Sequence, residues 1–209
     1  TFETDNGMDV VAVTTTGKAV GLIAAGPETA VLAVDSPASL VAFSQVSGLA
    51  EQTFALAAGA IPGGMELAPD GLSLWIADLG NPLVYRLTTA GPVATWILAS
   101  FPMPMAMRDV AVTGDGQRLF TLAADADDVF VHALPDVRPV DLLGATPEVE
   151  GLALRSAVRA IAGGRRAHVM RGSGVPDYPV LLTTHAGNVF FLNGSTGCAD
   201  YSDLRGPRL

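Results

Sequence analysis

Short apolar runs, each about the length of a strand and bounded by Gly, Pro, Asp or Asn, recur along most of the chain. The clearest set is Met65–Ala68, Ser73–Ala77, Leu83–Thr88 and Ala94–Ala99. Each run alternates with period two or is apolar throughout, which is the strand signal rather than the helix signal. Asp70-Gly71 between the first two runs predicts a hairpin with a primed turn, because Gly accepts positive φ and Asp tolerates it better than most residues. Leu79-Gly80-Asn81-Pro82 and Thr89-Ala90-Gly91-Pro92 supply the next two connections. The set therefore reads as four antiparallel strands joined by tight turns.

This unit repeats. Glu66–Trp75 lies over Ala111–Phe120 at an offset of 45 residues, and Leu83-Val84-Tyr85 over Asp128-Val129-Phe130 at the same offset. Val31–Asp35 with Leu40–Phe43 lies over Leu74–Asp78 with Leu83–Arg86 at an offset of 43. A four-stranded unit of this period is a propeller blade, whose central strands are covered on both faces by neighbouring blades. The expected fold is an all-β propeller in a single domain, 1–209, with four blades, five blades, or part of a larger ring. The shared frame places Trp75 and Phe120 at one blade position, packed between blades. Toward the C-terminus, Glu150–Arg155 reads as an inner strand, and Val180–Thr184 and Asn188–Leu192 as a hairpin through His185-Ala186-Gly187. Asp9–Val13 reads as an outer strand without its own blade, suited to close the last one and remove two exposed edges. Between residues 156 and 179 the register is lost. That stretch reads as an irregular insertion, with Val158–Ala162 and His168–Met170 as further strand candidates.

Composition narrows the function classes. Of 209 residues 49% are hydrophobic and only 16% charged, so the chain can bury a core and is not disordered. Twelve basic against 21 acidic residues give a net charge of −9, which opposes binding along a nucleic-acid backbone. No uninterrupted apolar stretch is long enough for a transmembrane span. Cys198 is the only cysteine, so neither an internal disulfide nor a multi-cysteine zinc site can form. The first residues lack an initiator Met and read as a processed terminus, and the single Lys with a Thr/Ser/Asn-rich polar surface points to an extracytoplasmic protein, periplasmic or secreted.

Ala68-Pro69-Asp70-Gly71 followed by Leu74-Trp75-Ile76-Ala77-Asp78 resembles the repeat of the YVTN, NHL and lactonase-like β-propellers, a likeness that covers roughly residues 20–143. The resemblance implies a propeller that is either a binding scaffold or an enzyme. Two readings of the carboxylates follow. Asp35, Asp78 and Asp125 recur near the end of second strands, while Glu66, Asp109 and Glu150 start or sit in inner strands. Convergence of Glu66, Asp78, Asp109 and Glu150 would make a calcium-type site, and a lactonase-like hydrolase would use the ion to polarise a carbonyl. The plainer reading makes the recurrent Asp a turn residue bonded to nearby backbone.

Nothing in the motifs favours nucleophilic catalysis: Gly-x-Ser-x-Gly is missing and Cys198 has no histidine near it in sequence. His132, His168 and His185 share no metal-ligand spacing and read as surface or turn residues. The departures from the repeat are better candidates for contact. Met103, Met105 and Met107 alternate with Pro102, Pro104 and Ala106, and soft Met side chains suit a partner surface. Arg165, Arg166 and Arg171, preceded by Arg155 and Arg159, form a basic cluster in an acidic protein. The leading expectation is a non-catalytic binding or assembly module without a cofactor, whose partner is a protein or another subunit. The alternative is the hydrolase with calcium.

Overall fold

The computed structural model describes residues 15–125 and 128–140, together with strand segments at 2–3, 9–10, 158–163, 168–169, 176–177, 180–184, 189–192 and 199–200. Strands β1 (Phe2–Glu3) and β2 (Asp9–Val10) pair with each other. The first blade is β3 (Ala19–Ala24), β4 (Thr29–Asp35), β5 (Ala38–Ser44) and β6 (Ala50–Ala55). β7 (Pro62–Leu67), β8 (Ser73–Asp78), β9 (Leu83–Thr88) and β10 (Leu98–Pro102) form the second. The third contains β11 (Met107–Val112), β12 (Arg118–Ala123), β13 (Val129–Ala133) and β14 (Arg138–Pro139). In the fourth sheet β15 (Val158–Gly163) is followed by a separate pair, β16 (His168–Val169) and β17 (Pro176–Asp177). β18 (Val180–Thr184), β19 (Val189–Leu192) and β20 (Ala199–Asp200) then complete that sheet in the order β15-β18-β19-β20. All pairings are antiparallel between neighbours in each sheet. Successive inner strands lie side by side, β3 against β7, β7 against β11 and β11 against β15. Among the described residues no helix is long and apolar enough to cross a membrane.

The apolar runs are continuous in the middle strands of the blades. β4, β5, β8 and β12 are buried along nearly their whole length, whereas β3 and β6 are largely exposed. Side-chain alternation then divides each middle strand between two interfaces. Val31, Ala33, Leu40 and Ala42 meet Leu74, Ile76, Tyr85 and Leu87 between the first two blades. From the other face of the second blade, Trp75, Ala77 and Val84 meet Val110, Val112, Leu119, Ala123 and Phe130 of the third. Phe120, fully buried, alternates with Leu119 and so faces the fourth blade, whose β15 touches β12. Trp75 and Phe120 thus share a blade position, each packed toward the next blade.

Several local expectations are corrected. The fourth strand of the second blade runs Leu98–Pro102 rather than Ala94–Ala99. Pro92 starts a 3-10 turn over Val93–Thr95, and Trp96 folds into the core with its Nε1–H on the Gly91 carbonyl at 3.0 Å. The Asp-Gly hairpins are not primed turns. The Gly71 and Gly116 N–H groups bond the carbonyls of Ala68 and Thr113, and φ is positive at the glycines, 71° and 70°, but not at the aspartates. Asp70 and Asp115 instead use Oδ1 to accept the N–H two residues on, from Leu72 and Gln117.

The C-terminal and N-terminal placements also differ. The inner position of the fourth sheet is held by Val158–Gly163, which lay within the expected insertion; residues 150–155, including Glu150, lie outside the described residues. The outer position beside β19 is taken by Ala199–Asp200, while Asp9–Val10 pairs with Phe2–Glu3.

Candidate functional site: carboxylates of the inner strands

The repeated aspartates act first on the backbone. Asp35 ends β4, and its Oδ1 accepts the Lys18 N–H, just ahead of inner strand β3, at 3.1 Å. Asp78 ends β8 and does the same for Ile61, just ahead of β7, at 3.0 Å. In both blades the donor and the aspartate are 17 residues apart, so this is one device used twice. Asp78 extends it. Its Oδ1 also accepts the Gly80 and Asn81 N–H groups at 2.8 and 3.1 Å, and Oδ2 accepts the Asn81 amide at 3.1 Å and the Tyr85 hydroxyl at 2.8 Å. The Tyr85 oxygen in turn accepts the Ala57 N–H at 3.3 Å. Burial, reinforced by the bond to Asp78, pushes the Tyr85 hydroxyl pKa up to about 12, so it remains a donor. Asp78 is completely buried and ties the incoming connection 57–61 to the loop 79–82. In the third blade Ala123 takes the place of Asp78, paired with Met107 as Asp78 is with Pro62, and Asp125 is exposed in the loop beyond.

Glu66 and Asp109 lie on inner strands β7 and β11, as expected, and meet on a third. Asp109 Oδ2 accepts the Ile161 N–H at 2.9 Å, and Glu66 Oε2 accepts the Gly163 N–H at 3.2 Å. The edge of β15 that does not pair with β18 thus has two alternate donors capped by carboxylates from the two preceding blades. Glycine makes this approach possible. A Cβ on Gly64 would run into Asp109 Oδ1, and one on Gly163 into the Val112 carbonyl and Glu66 Oε1. Burial holds the Asp109 carboxyl above its usual range, against the lowering pull of the Ile161 and Val110 N–H groups and of the Arg108 guanidinium. Asp78 serves a different place, the end of β8, and Glu150 lies outside the described residues. Among the described residues no group of three or more His, Cys, Asp or Glu is gathered as metal ligands.

Of the contact candidates, Met103 and Met107 are buried in the core between the second and third blades. Their connection is pinned by the Met103 N–H on the Pro82 carbonyl at 2.9 Å, and Met105 alone stays exposed. Arg165, Arg166, Arg171, His185 and Cys198 lie outside the described residues, and of His168 only the backbone strand is described. His132, expected at the surface, is 3% exposed. Register pairs it with Leu119, which turns it toward the second blade. Desolvation there pushes its pKa down to about 4, its Nε2 lies 3.4 Å from Thr121 Oγ1, and its Nδ1 has no partner among the described residues.

The sequence reading missed a stack at the same interface. The Arg86 guanidinium lies 5.7 Å from the Trp75 ring centroid and 5.3 Å from that of Phe101, and donates to the Pro135 carbonyl of the third blade at 3.3 Å. The Tyr85 clasp was also missed. Its one signal was a hydroxyl-bearing Tyr where the third blade has Phe130 and the first has Ala42.

No family model and no curated protein matches the chain. Solved structures match in fold. The β-propeller domain of Cps50 (Swd1) from Myceliophteria thermophila aligns with TM-score 0.59 and 11% identity, over 82% of this chain and 52% of that one. A putative 6-phosphogluconolactonase from Bacteroides fragilis aligns with TM-score 0.55 and 14% identity, over 86% of this chain and 54% of its own. The dihydro-heme d1 dehydrogenase NirN aligns with TM-score 0.59 and 14% identity, over 83% and 34%. The chain therefore has the propeller fold, with blades of four antiparallel strands, and spans from a third to about half the length of these structures.

Proposed function

We propose that the chain is a non-catalytic propeller module for binding and assembly. The observation that carries this reading is the use made of the carboxylates. Asp78, Asp109 and Glu66, three of the four residues a calcium-type hydrolase site would need, each accept backbone N–H groups that fix a connection or an inner strand. Oxygens used in this way hold the blades in register. The partner face we favour is the one carrying the interblade connections. There the Leu79 N–H bonds the Ile61 carbonyl at 2.8 Å, the Met103 N–H bonds the Pro82 carbonyl, and the Ala124 N–H bonds the Ala106 carbonyl at 2.9 Å, so four connecting segments lie side by side. Ile61, Leu79 and Met105 are exposed on them. Arg165, Arg166 and Arg171 remain proposed partner contacts from the sequence.

The rival is a lactonase-like hydrolase. Calorimetric titration of calcium into the purified chain, followed by assay with simple lactones, separates the two. The module reading expects neither saturable calcium binding nor turnover. Calcium-dependent lactone hydrolysis lost in Asp109→Asn, with an unchanged melting temperature, would replace it with the rival.

A further inference from the structure

Propeller blades diverge from the axis outward. β7 and β11, the inner strands of the second and third blades, lie side by side, whereas the outer strands β10 and β14 do not. The register fixes which side chains line the wedge between them. Trp75, Arg86 and Ala99 pair in one row across β8, β9 and β10, and residues directly opposite one another point to the same face of a sheet. For Trp75 that face is the one turned to the third blade. Phe101, opposite Val84, stands beside this row on the same face, its ring centroid 5.7 Å from that of Trp75. From the third blade Pro135 closes the wedge by accepting a bond from Arg86.

The charge in this row is half-buried and has no acid beside it. The two aromatic rings hold the guanidinium within cation–π range, at 5.7 and 5.3 Å from their centroids. A guanidinium offers five N–H donors. Arg86 uses Nη1 on the Pro135 carbonyl, at 3.3 Å and open to solvent, and among the described residues no carboxylate pairs with it. Arg138, by comparison, lies 3.6 Å from Asp136. The buried Nε–H of Arg86 has no acceptor among the described residues, nor has the Nε1–H of Trp75, which is 1% exposed. Buried donors are normally satisfied, so the wedge holds an excess of N–H groups and one positive charge without its counterpart. On the outer strand only the methyl group of Ala99 stands in register with Arg86.

We infer that this wedge receives a single Asp or Glu side chain of a partner protein, whose carboxylate takes N–H groups that Pro135 leaves free on Arg86 while Trp75 and Phe101 hold the guanidinium in place. The choice of occupant follows from the donors: a carboxylate only accepts, and its two oxygens match a guanidinium edge. A net charge of −9 disfavours a polyanion in its stead. This names the chemistry of one contact of the binding module and rests on that reading.

The test uses the whole chain and a labelled synthetic peptide alternating Glu and Ser, read by fluorescence anisotropy, with a Gln/Ser peptide of equal length as control. The expected result is saturable binding of the Glu/Ser peptide, weakened by salt and at least about tenfold weaker for Gln/Ser. Arg86→Gln should weaken it at least about tenfold, and Arg86→Lys, which keeps the charge without the planar fork, by less. Ala99→Glu leaves Arg86 in place and sets a carboxylate in register with it. That variant should lose the peptide at an unchanged or raised melting temperature, while Ala99→Gln, of equal size, binds at least about tenfold more tightly than Ala99→Glu. Binding that survives both Arg86→Gln and Ala99→Glu overturns the wedge while leaving the module reading standing on its connection-bearing face. No binding, equal binding of the Gln/Ser peptide, or equal affinity for free glutarate also overturns the inference, and only calcium-dependent turnover would remove the module reading beneath it.

Discussion

At the scale of single residues, the acidic side chains matter as acceptors for backbone donors. Truncating Asp78 would leave the partly buried N–H groups of Ile61, Gly80 and Asn81, and the buried Tyr85 hydroxyl, without their acceptor. Asp78→Ala is therefore expected to cost about 3–5 kcal/mol, whereas Tyr85→Phe, which removes one charge-assisted bond, should cost about 1.5–3 kcal/mol. Urea unfolding of both variants checks the order, and equal losses would refute the clasp. His132 makes the fold sensitive to acid. Its pKa of about 4 lies below the ordinary 6.5, so between these values the unfolded chain takes up a proton that the folded chain refuses. Stability should be independent of this histidine above pH 6.5 and fall by about 3 kcal/mol as the pH drops to 4. Asp109 works the other way, because its raised pKa makes protonation favour the fold. Comparing the pH dependence of urea midpoints in the wild type and in His132→Gln isolates the histidine part, and identical pH profiles would refute it. The position of the Asp-Gly turns, though not their type, was legible at this scale because their chemistry is local. The clasp was not, since Ile61 and Tyr85 meet Asp78, and Ala57 meets Tyr85, only after two strands have paired.

At the scale of elements, the inner strands explain why glycine and carboxylate recur near the axis. Gly64 leaves the room that the Asp109 carboxylate fills, and Asp109 in turn caps Ile161 on β15. Gly64→Ala and Asp109→Ala should each destabilise the protein, yet the double variant should lose less than their sum, because truncating Asp109 removes the nearest obstacle to the added methyl. A coupling of about 1 kcal/mol or more by a double-mutant cycle is expected, and strict additivity would mean that the two do not touch. The strand runs themselves were readable from alternation and from the 43- and 45-residue offsets. β10 was misplaced by the apolar 3-10 turn, which has the composition of a strand but is closed by the Thr95 N–H on the Pro92 carbonyl at 2.8 Å.

At the scale of the whole molecule, stability resides in the layers between blades. Native-state hydrogen exchange should find the slowest amides in β8 and β12, which are paired on both edges and buried on both faces, and fast exchange in β3, whose Val20 and Leu22 are exposed. Uniform protection across each blade would refute this. The sequence by itself determined the blade, because a strand covered on both faces must be apolar throughout, and turn residues at regular spacing leave four strands per unit. It also determined the repeat, and hence that Trp75 and Phe120 pack alike. Only the tertiary structure decided which carboxylate serves which backbone. Glu66 and Gly163 are 97 residues apart, and Asp109 and Ile161 are 52 apart, so nothing local relates them. Tertiary packing likewise decided that His132, Met103 and Met107 are interior while Val46, Leu49 and Ile97 are not. Burial there is set by which blade lies against which face, a property of the assembled sheets rather than of any stretch of chain.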